Sequence, residues 1–271
     1  MGGFDMLTLI ENEWLKLAKK KSTWIMLGLL VLLTFALTYV VRIGSGDMKA
    51  NDLFVSLSEM TSFLNLIVVI VAASSVAEEF TRGTIKFLLI RPYKRTQILA
   101  AKAINIILFA SLGTVCLLLS SLAASNLFLR AESPLAATDF NGLPAIVVAL
   151  VYAGTNLLLI LFYAALTMFI SAVIRSQSLA VGLGVGVLFG SSIINSLMLL
   201  ALEKYPWLKW NPFNMMNIRG AIPTLLGNPQ WSMDISTGLG YWEMAGSLLV
   251  YSCLIYLLTN WLFNKRDVAL N

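Results

Sequence analysis

Six runs of about twenty mostly apolar residues fill most of this chain, and they leave room for little besides a bundle of membrane-crossing helices. An α-helix rises 1.5 Å per residue, so a crossing of the hydrocarbon core takes about 20 apolar residues. The qualifying segments are Trp24–Val41, Leu57–Ala77, Ala103–Leu129, Leu143–Ile174, Ser178–Leu202 and Tyr241–Phe263. The fourth is longer than a crossing needs, which allows tilt or protrusion. Its Pro144 falls in the first turn, where proline is tolerated. Only 12% of residues are charged and mean hydropathy is +0.82, against roughly twice that charge fraction in soluble domains. The expected fold is all-α: a single transmembrane domain over residues 1–271, with no soluble domain, low-complexity stretch or clear repeat.

Residue types narrow the chemistry. Histidine is absent, which removes imidazole bases and histidine metal ligands. Cys116 and Cys253 both fall inside apolar runs, so neither a disulfide framework nor a structural zinc site is expected. No metal, cofactor or catalytic group is assigned to this chain.

An even number of spans puts both termini on one side, and Lys and Arg decide which. Thirteen lie on the side of the termini, from Lys16, Lys19, Lys20 and Lys21 through Arg82–Lys102 and Arg175 to Lys265 and Arg266. Six lie opposite: Arg42, Lys49, Arg130, Lys204, Lys209 and Arg219. Both termini are therefore expected in the cytoplasm. The net charge of +5 follows from this distribution and needs no nucleic acid. The first span is not read as a signal peptide, because no small-residue cleavage site follows it.

Ahead of that span, Phe4, Leu7, Ile10, Trp14 and Leu17 recur at spacings of three and four, with Asp5, Thr8, Asn12, Lys16 and Lys19 opposite. This predicts an amphipathic helix within residues 1–21, lying on the membrane with its lysines toward anionic headgroups.

Between the second and third spans, Glu78–Lys102 (EEFTRGTIKFLLIRPYKRTQILAAK) carries eight charged residues and must sit in water. A short helix is expected with Ile85, Leu88 and Leu89 on one face. Pro92 stops it, and Thr96 is the expected N-cap of the helix entering the third span. This apolar stripe is too small to form a core, so it buries against span ends or a partner.

In this order of residues the chain resembles the six-span permeases of type-two ATP-binding-cassette exporters, which carry no fused ATPase. The resemblance rests on Glu78–Glu79, Gly83–Thr84, Leu88–Leu89, Pro92, Arg95, Ile98–Leu99 and Lys102. It implies that Gly83–Ile90 is a coupling helix docking on a separate ATPase subunit. Gly83, Thr84, Ile85, Leu88 and Leu89 would form that surface, with Glu78, Glu79 and Arg82 tying it to the span ends. The chain has no G-x-x-x-x-G-K-[ST] phosphate loop, so ATP and Mg would bind the partner ATPase, present in two copies. A second permease subunit, identical or related, would complete the path in a bacterial plasma membrane. The sequence Glu78-Glu79-Phe80-Thr81-Arg82 is also similar to the paired glutamates of CAAX-type membrane proteases. There the arginine stands one place further on and histidines complete the site.

Residues 203–240 hold Trp207, Trp210, Phe213, Met215, Met216, Ile218, Leu225, Leu226 and Trp231, interrupted by four prolines. That composition predicts interfacial or re-entrant helices. The resemblance implies an external gate there, carried to Phe213, Met216 and Leu225. Gly182, Gly186 and Gly190 stand four apart on the fifth span and allow close helix approach, within the subunit or, as the resemblance implies, across a permease pair. Glu59 and Glu243 are expected in water near external span ends. Asn65, Asn105, Asn156 and Asn195 either line a path or bind helices together. No carboxylate lies mid-span to relay protons. That weighs against the competing class, a self-contained channel or secondary carrier.

Overall fold

The computed structural model describes residues 6–44, 48–59, 61–81, 93–138, 140–174, 176–202, 204–229 and 238–265. The described chain is helical, with no strand beyond isolated bridges. A short helix α1 (Met6–Ala18) leads into α2 (Lys21–Gly44). The second apolar run forms two helices, α3 (Ala50–Glu59) and α4 (Ser62–Thr81). Then come α5 (Arg95–Phe128), α6 (Ala145–Val173), α7 (Gln177–Ala201) and α8 (Tyr241–Lys265). Six stretches are long and apolar enough to cross a membrane: α2, α3–α4 together, α5, α6, α7 and α8. The chain is an all-α multi-pass membrane protein.

The expected spans recur with shifted ends: α2 extends into flanking residues at both ends and α5 at its start, whereas α6 is shorter than expected at both ends. The second departs most. It starts at Ala50 rather than Leu57, runs to Thr81 rather than Ala77, and has Thr61 in a turn ahead of α4. At 34 residues, α5 is about 51 Å long by helical rise, more than a bilayer needs. Its first turns pack against α1 and the end of α8. Thr96 does not cap it: the helix begins at Arg95, and Gln97 Oε1 accepts the Lys94 amide at 2.9 Å.

Helix α6 is the central post and packs against α8, α4, α3, α7 and α5. Its buried face is mostly small residues and rings: Ala145, Ala149, Tyr152, Ala153, Tyr163, Ala164 and Ala172. Small side chains bring neighbouring backbones close, and dispersion then replaces the hydrophobic drive that lipid cannot supply. One core joins α2, α4, α5 and α6 around Leu64, Phe109, Ile160 and Met168. A second joins α4, α6, α7 and α8 with Met215 and Ile218 of the 204–229 segment. The outer faces of α2, α7 and α8 remain apolar and exposed, including Ile25, Leu32, Phe189, Ile193, Leu254 and Trp261, as lipid contact requires.

Residues 206–225 form four short turns, Pro206–Trp210, Pro212–Met215, Ile218–Ala221 and Ile222–Leu225. Each is five residues or fewer, so the segment is a string of turns rather than longer re-entrant helices. Met215, Ile218 and Ile222 are fully buried, which sets the segment into the end of the bundle as a cap. Gly227 closes it at φ +83°, where an added Cβ would meet Asn141 Nδ2 at 2.8 Å.

Candidate functional site

The end of the bundle bearing α1 is braced by charge. Helix α1 turns Leu9 and Glu13 into protein, although its apolar periodicity runs through Ile10, Trp14 and Leu17. Leu9 packs with Ile98 and Ala101 of α5. Trp14 and Leu17 are half-buried against the core shared by α2, α4, α5 and α6, while Leu7 is exposed and Phe4 lies outside the described residues. The amphipathic helix expected from the sequence is present, but its buried line is rotated. Protein covers one flank of it, so a charged residue can go inside.

That residue is Glu13. Its Oε2 accepts from Lys102 Nζ at 2.7 Å and its Oε1 from Lys16 Nζ at 2.5 Å. The Glu13 and Lys102 side chains are 7% and 5% exposed, so this is a buried ion pair. Burial alone would raise the Glu13 carboxyl. The ammonium groups of Lys102 and Lys16 outweigh it and hold the carboxyl below the usual range. Beside the pair, Asn105 Nδ2 donates to Ile10 O at 2.9 Å, so a backbone carbonyl of α1 is tied to α5 as well.

A second tie leads to the other flank. Lys20 Nζ, in the turn between α1 and α2, bonds Glu78 Oε2 near the end of α4. Trp24 Nε1 donates to Ala18 O at 2.7 Å and fixes the elbow. Glu13–Lys102 and Lys20–Glu78 thus bind α1 and its turn to the two helices flanking residues 82–92. Arg95 Nη1 adds contacts to the carbonyls of Phe263 and Asn264, at 3.5 and 3.3 Å, joining the start of α5 to the end of α8. Beneath the elbow lies a cavity of about 430 Å³ between α2, α4 and the start of α7, lined by Leu17, Lys20, Lys21, Met26, Ser74 and Gln177 among others.

Of the residues the sequence singles out for ATPase coupling, Glu78 is in this brace. Glu79 ends in α4, but its side chain lies outside the described residues, as do Arg82, Gly83, Thr84, Ile85, Leu88 and Leu89 entirely. Glu13 and Lys20, which complete the brace, were missed by sequence reasoning. Neither partner lies near them in the chain. The one available signal was a glutamate on the flank of an amphipathic helix followed by a lysine-rich turn.

Gly182, Gly186 and Gly190 have open space where a side chain would stand. Close approach occurs instead at Gly184, where a Cβ would come within 3.0 Å of Thr167 and Val69. The four-residue repeat therefore lies on the outer face of α7, away from its own subunit's helices.

At the opposite end, Phe213 and Met216 are half-buried and Leu225 is exposed; of these, Met216 packs on the core below. A polar contact from the segment to α6 comes from Arg219, whose Nη2 donates to Asn156 Oδ1. Thr61 Oγ1, in the turn ahead of α4, donates to the same oxygen at 2.8 Å. Glu243 is exposed and accepts the Gly240 amide at 3.0 Å, a capping role at the start of α8; the Glu59 side chain lies outside the described residues. Among the described residues no three His, Cys, Asp or Glu side chains come together.

A family model described as a protein of unknown function (DUF2705) matches residues 33–269. Two proteins of Bacillus subtilis (strain 168) are similar over nearly their whole lengths. The uncharacterized protein YhcI is 24% identical over 326 aligned residues, covering 97% of this chain and 100% of that protein. The uncharacterized membrane protein YdbK is 24% identical over 258 residues, covering 94% and 99% respectively.

Proposed function

The chain belongs to the DUF2705 family, and for this member we propose the role of membrane permease subunit in an ATP-binding-cassette exporter. A separate nucleotide-binding subunit supplies the hydrolysis. The observation that carries this reading is the double brace. Residues 82–92 run between Glu78 and Lys102, and both of these are ion-paired to α1 or its turn. A partner pressing on that segment would move the second span, the third span and the elbow together, as a mechanical input requires.

On this reading the braced end is cytoplasmic, Gly83–Ile90 is the coupling helix, and ATP and Mg stay on the partner. The cavity beneath the elbow gives substrate an opening beside the first, second and fifth spans. The open glycine face of α7 is where a second permease subunit would pack. The resemblance in residues 78–102 and the missing phosphate loop support the same assignment.

Affinity purification of the full chain from its native membrane tests it. An ATPase bearing a phosphate loop should co-purify, and Leu88→Asp with Leu89→Asp should remove it while the six-span protein still inserts. Association and ATPase activity unchanged by the double substitution would refute the coupling assignment. Transport in vesicles holding this chain alone would establish a self-contained carrier, the reading that an arginine reaching into the bundle at Asn156 favours.

A further inference from the structure

The cavity beneath the elbow changes character along the bundle axis. Lys21 and Thr23 of α2, with Ser74 and Glu78 of α4, line it near the end that the Lys20–Glu78 pair ties together. Met26 lies about 8 Å further in along α2 than Lys21, and Ile70 about 12 Å further in along α4 than Glu78, by helical rise. The lining thus passes from charge through hydroxyls to apolar side chains, as a bilayer does from headgroup to acyl chain. Next to these positions α2 and α7 present Ile25, Leu29, Leu179 and Leu183 outward, apolar and exposed. The volume, about 430 Å³, lies within the roughly 300–1,000 Å³ usual for small-ligand sites.

Charge and hydrogen-bond capacity set what can bind here. Two cations, Lys20 and Lys21, against one carboxylate, Glu78, leave the lining a formal charge of +1. Glu78 takes up Lys20, whereas Lys21 is exposed and has no ion-pair partner among the described residues. Thr23 is 4% exposed, yet its hydroxyl makes no hydrogen bond among the described residues. The other buried threonines all do. Thr34 and Thr38 of the same helix donate to the carbonyl four residues back, at 2.9 and 2.8 Å. Thr61, Thr114, Thr155, Thr167 and Thr259 have partners as well. A buried hydroxyl left unmatched is costly and is ordinarily answered by a partner. Across the cavity, Ser74 Oγ accepts from Gln177 Nε2 at 3.3 Å, which leaves its own hydrogen to donate. One ammonium and two hydroxyls therefore border the same space, with an excess of one positive charge.

We propose that the cavity is a binding site for the phosphate of an anionic phospholipid. Lys21, Thr23 and Ser74 donate to the phosphate oxygens, and the glycerol with its first methylenes lies against Met26, Ile70 and Val71. The acyl chains leave along the outer faces of α2 and α7. Basic pockets between spans hold anionic headgroups in this way. A free phosphate would meet the same donors but leave the apolar wall wet, so the lipid is the better fit. Binding needs no ATPase, so this site and the exporter reading stand or fall separately.

The test is thermal unfolding of the full chain in detergent, stripped of native phospholipid until a phosphorus assay finds none. Dioleoyl phosphatidylglycerol, dioleoyl phosphatidylcholine and inorganic phosphate are titrated separately. A ligand that binds only the folded state raises Tm with concentration. The expected result is a saturable rise with phosphatidylglycerol and little change with the other two. Lys21→Gln should raise the half-saturating amount roughly fivefold and Thr23→Val roughly tenfold, while Thr23→Ser restores the response. Lys19→Gln removes the same charge from an exposed neighbour outside the cavity and should behave as wild type. If Thr23→Val does not fold, Lys21→Gln against Lys19→Gln decides the matter. A wild type indifferent to phosphatidylglycerol would overturn the proposal. An equal response to both lipids, or one that Lys19→Gln and Lys21→Gln weaken alike, would overturn it too, by showing bulk solvation or diffuse surface charge. A response to inorganic phosphate as strong as that to the lipid would sink the lipid assignment.

Discussion

Glu13 and Lys102 are 89 positions apart and nearly out of contact with water, so removing either takes from the other a buried counter-charge. Removing one member of such a pair typically costs about 3–5 kcal/mol. Lys102→Met should therefore lower the unfolding free energy of the solubilised chain by about 3 kcal/mol. Lys16→Met should cost under about 1 kcal/mol, because Lys16 is well exposed and its contact with Glu13 is screened. Thermal or denaturant unfolding of the two variants side by side checks the ranking. The same pair sets an acid limit. The Glu13 carboxyl titrates below its usual value when folded, so its contribution is complete above about pH 4.3 and is lost as pH falls through the lowered folded value. Trp14 fluorescence should report α1 leaving α5 only under such acid conditions, and Glu13→Gln should remove that acid-dependent step.

Among the helices, α7 separates two uses of glycine that its sequence runs together. Gly184 meets Val69 and Thr167, whereas Gly182, Gly186 and Gly190 meet nothing within 4 Å. Gly184→Leu should force the fifth span away from the second and fourth at a cost of about 1–3 kcal/mol, read as a lower Tm. Gly186→Leu should leave the Tm of a single subunit unchanged and instead reduce any paired form, read from the mass of the detergent-solubilised particle. Apolar run length made the spans legible in advance, because hydrocarbon imposes a length that few other constraints mimic. The turn at Thr61 ahead of α4 was not legible. No proline marks it, and Thr61 bonds Asn156, far along the chain. The amphipathic pattern of α1 was legible too, but it pointed to Ile10, Trp14 and Leu17. The residues that dock the helix, Leu9 and Glu13, answer to a neighbouring helix rather than to a lipid surface.

At the scale of the whole protein, central helices α4 and α6 are enclosed while α2, α7 and α8 present apolar outer faces. The braces at Glu13 and Glu78 lie at the end that the lysine and arginine counts lead one to expect in the cytoplasm. Helix α1 is ion-paired to α5 and, through its turn, to α4. With α1 among lipid headgroups, as the proposed elbow role places it, helix and headgroups would not shift independently of the second and third spans. A change in bilayer thickness or in leaflet crowding would pull on the same two helices that frame residues 82–92. The protein would then act as a strain gauge for its own leaflet. Reconstituted activity should rise and fall with acyl-chain length and anionic lipid content, and Lys20→Met combined with Glu13→Gln should flatten that dependence before it abolishes turnover.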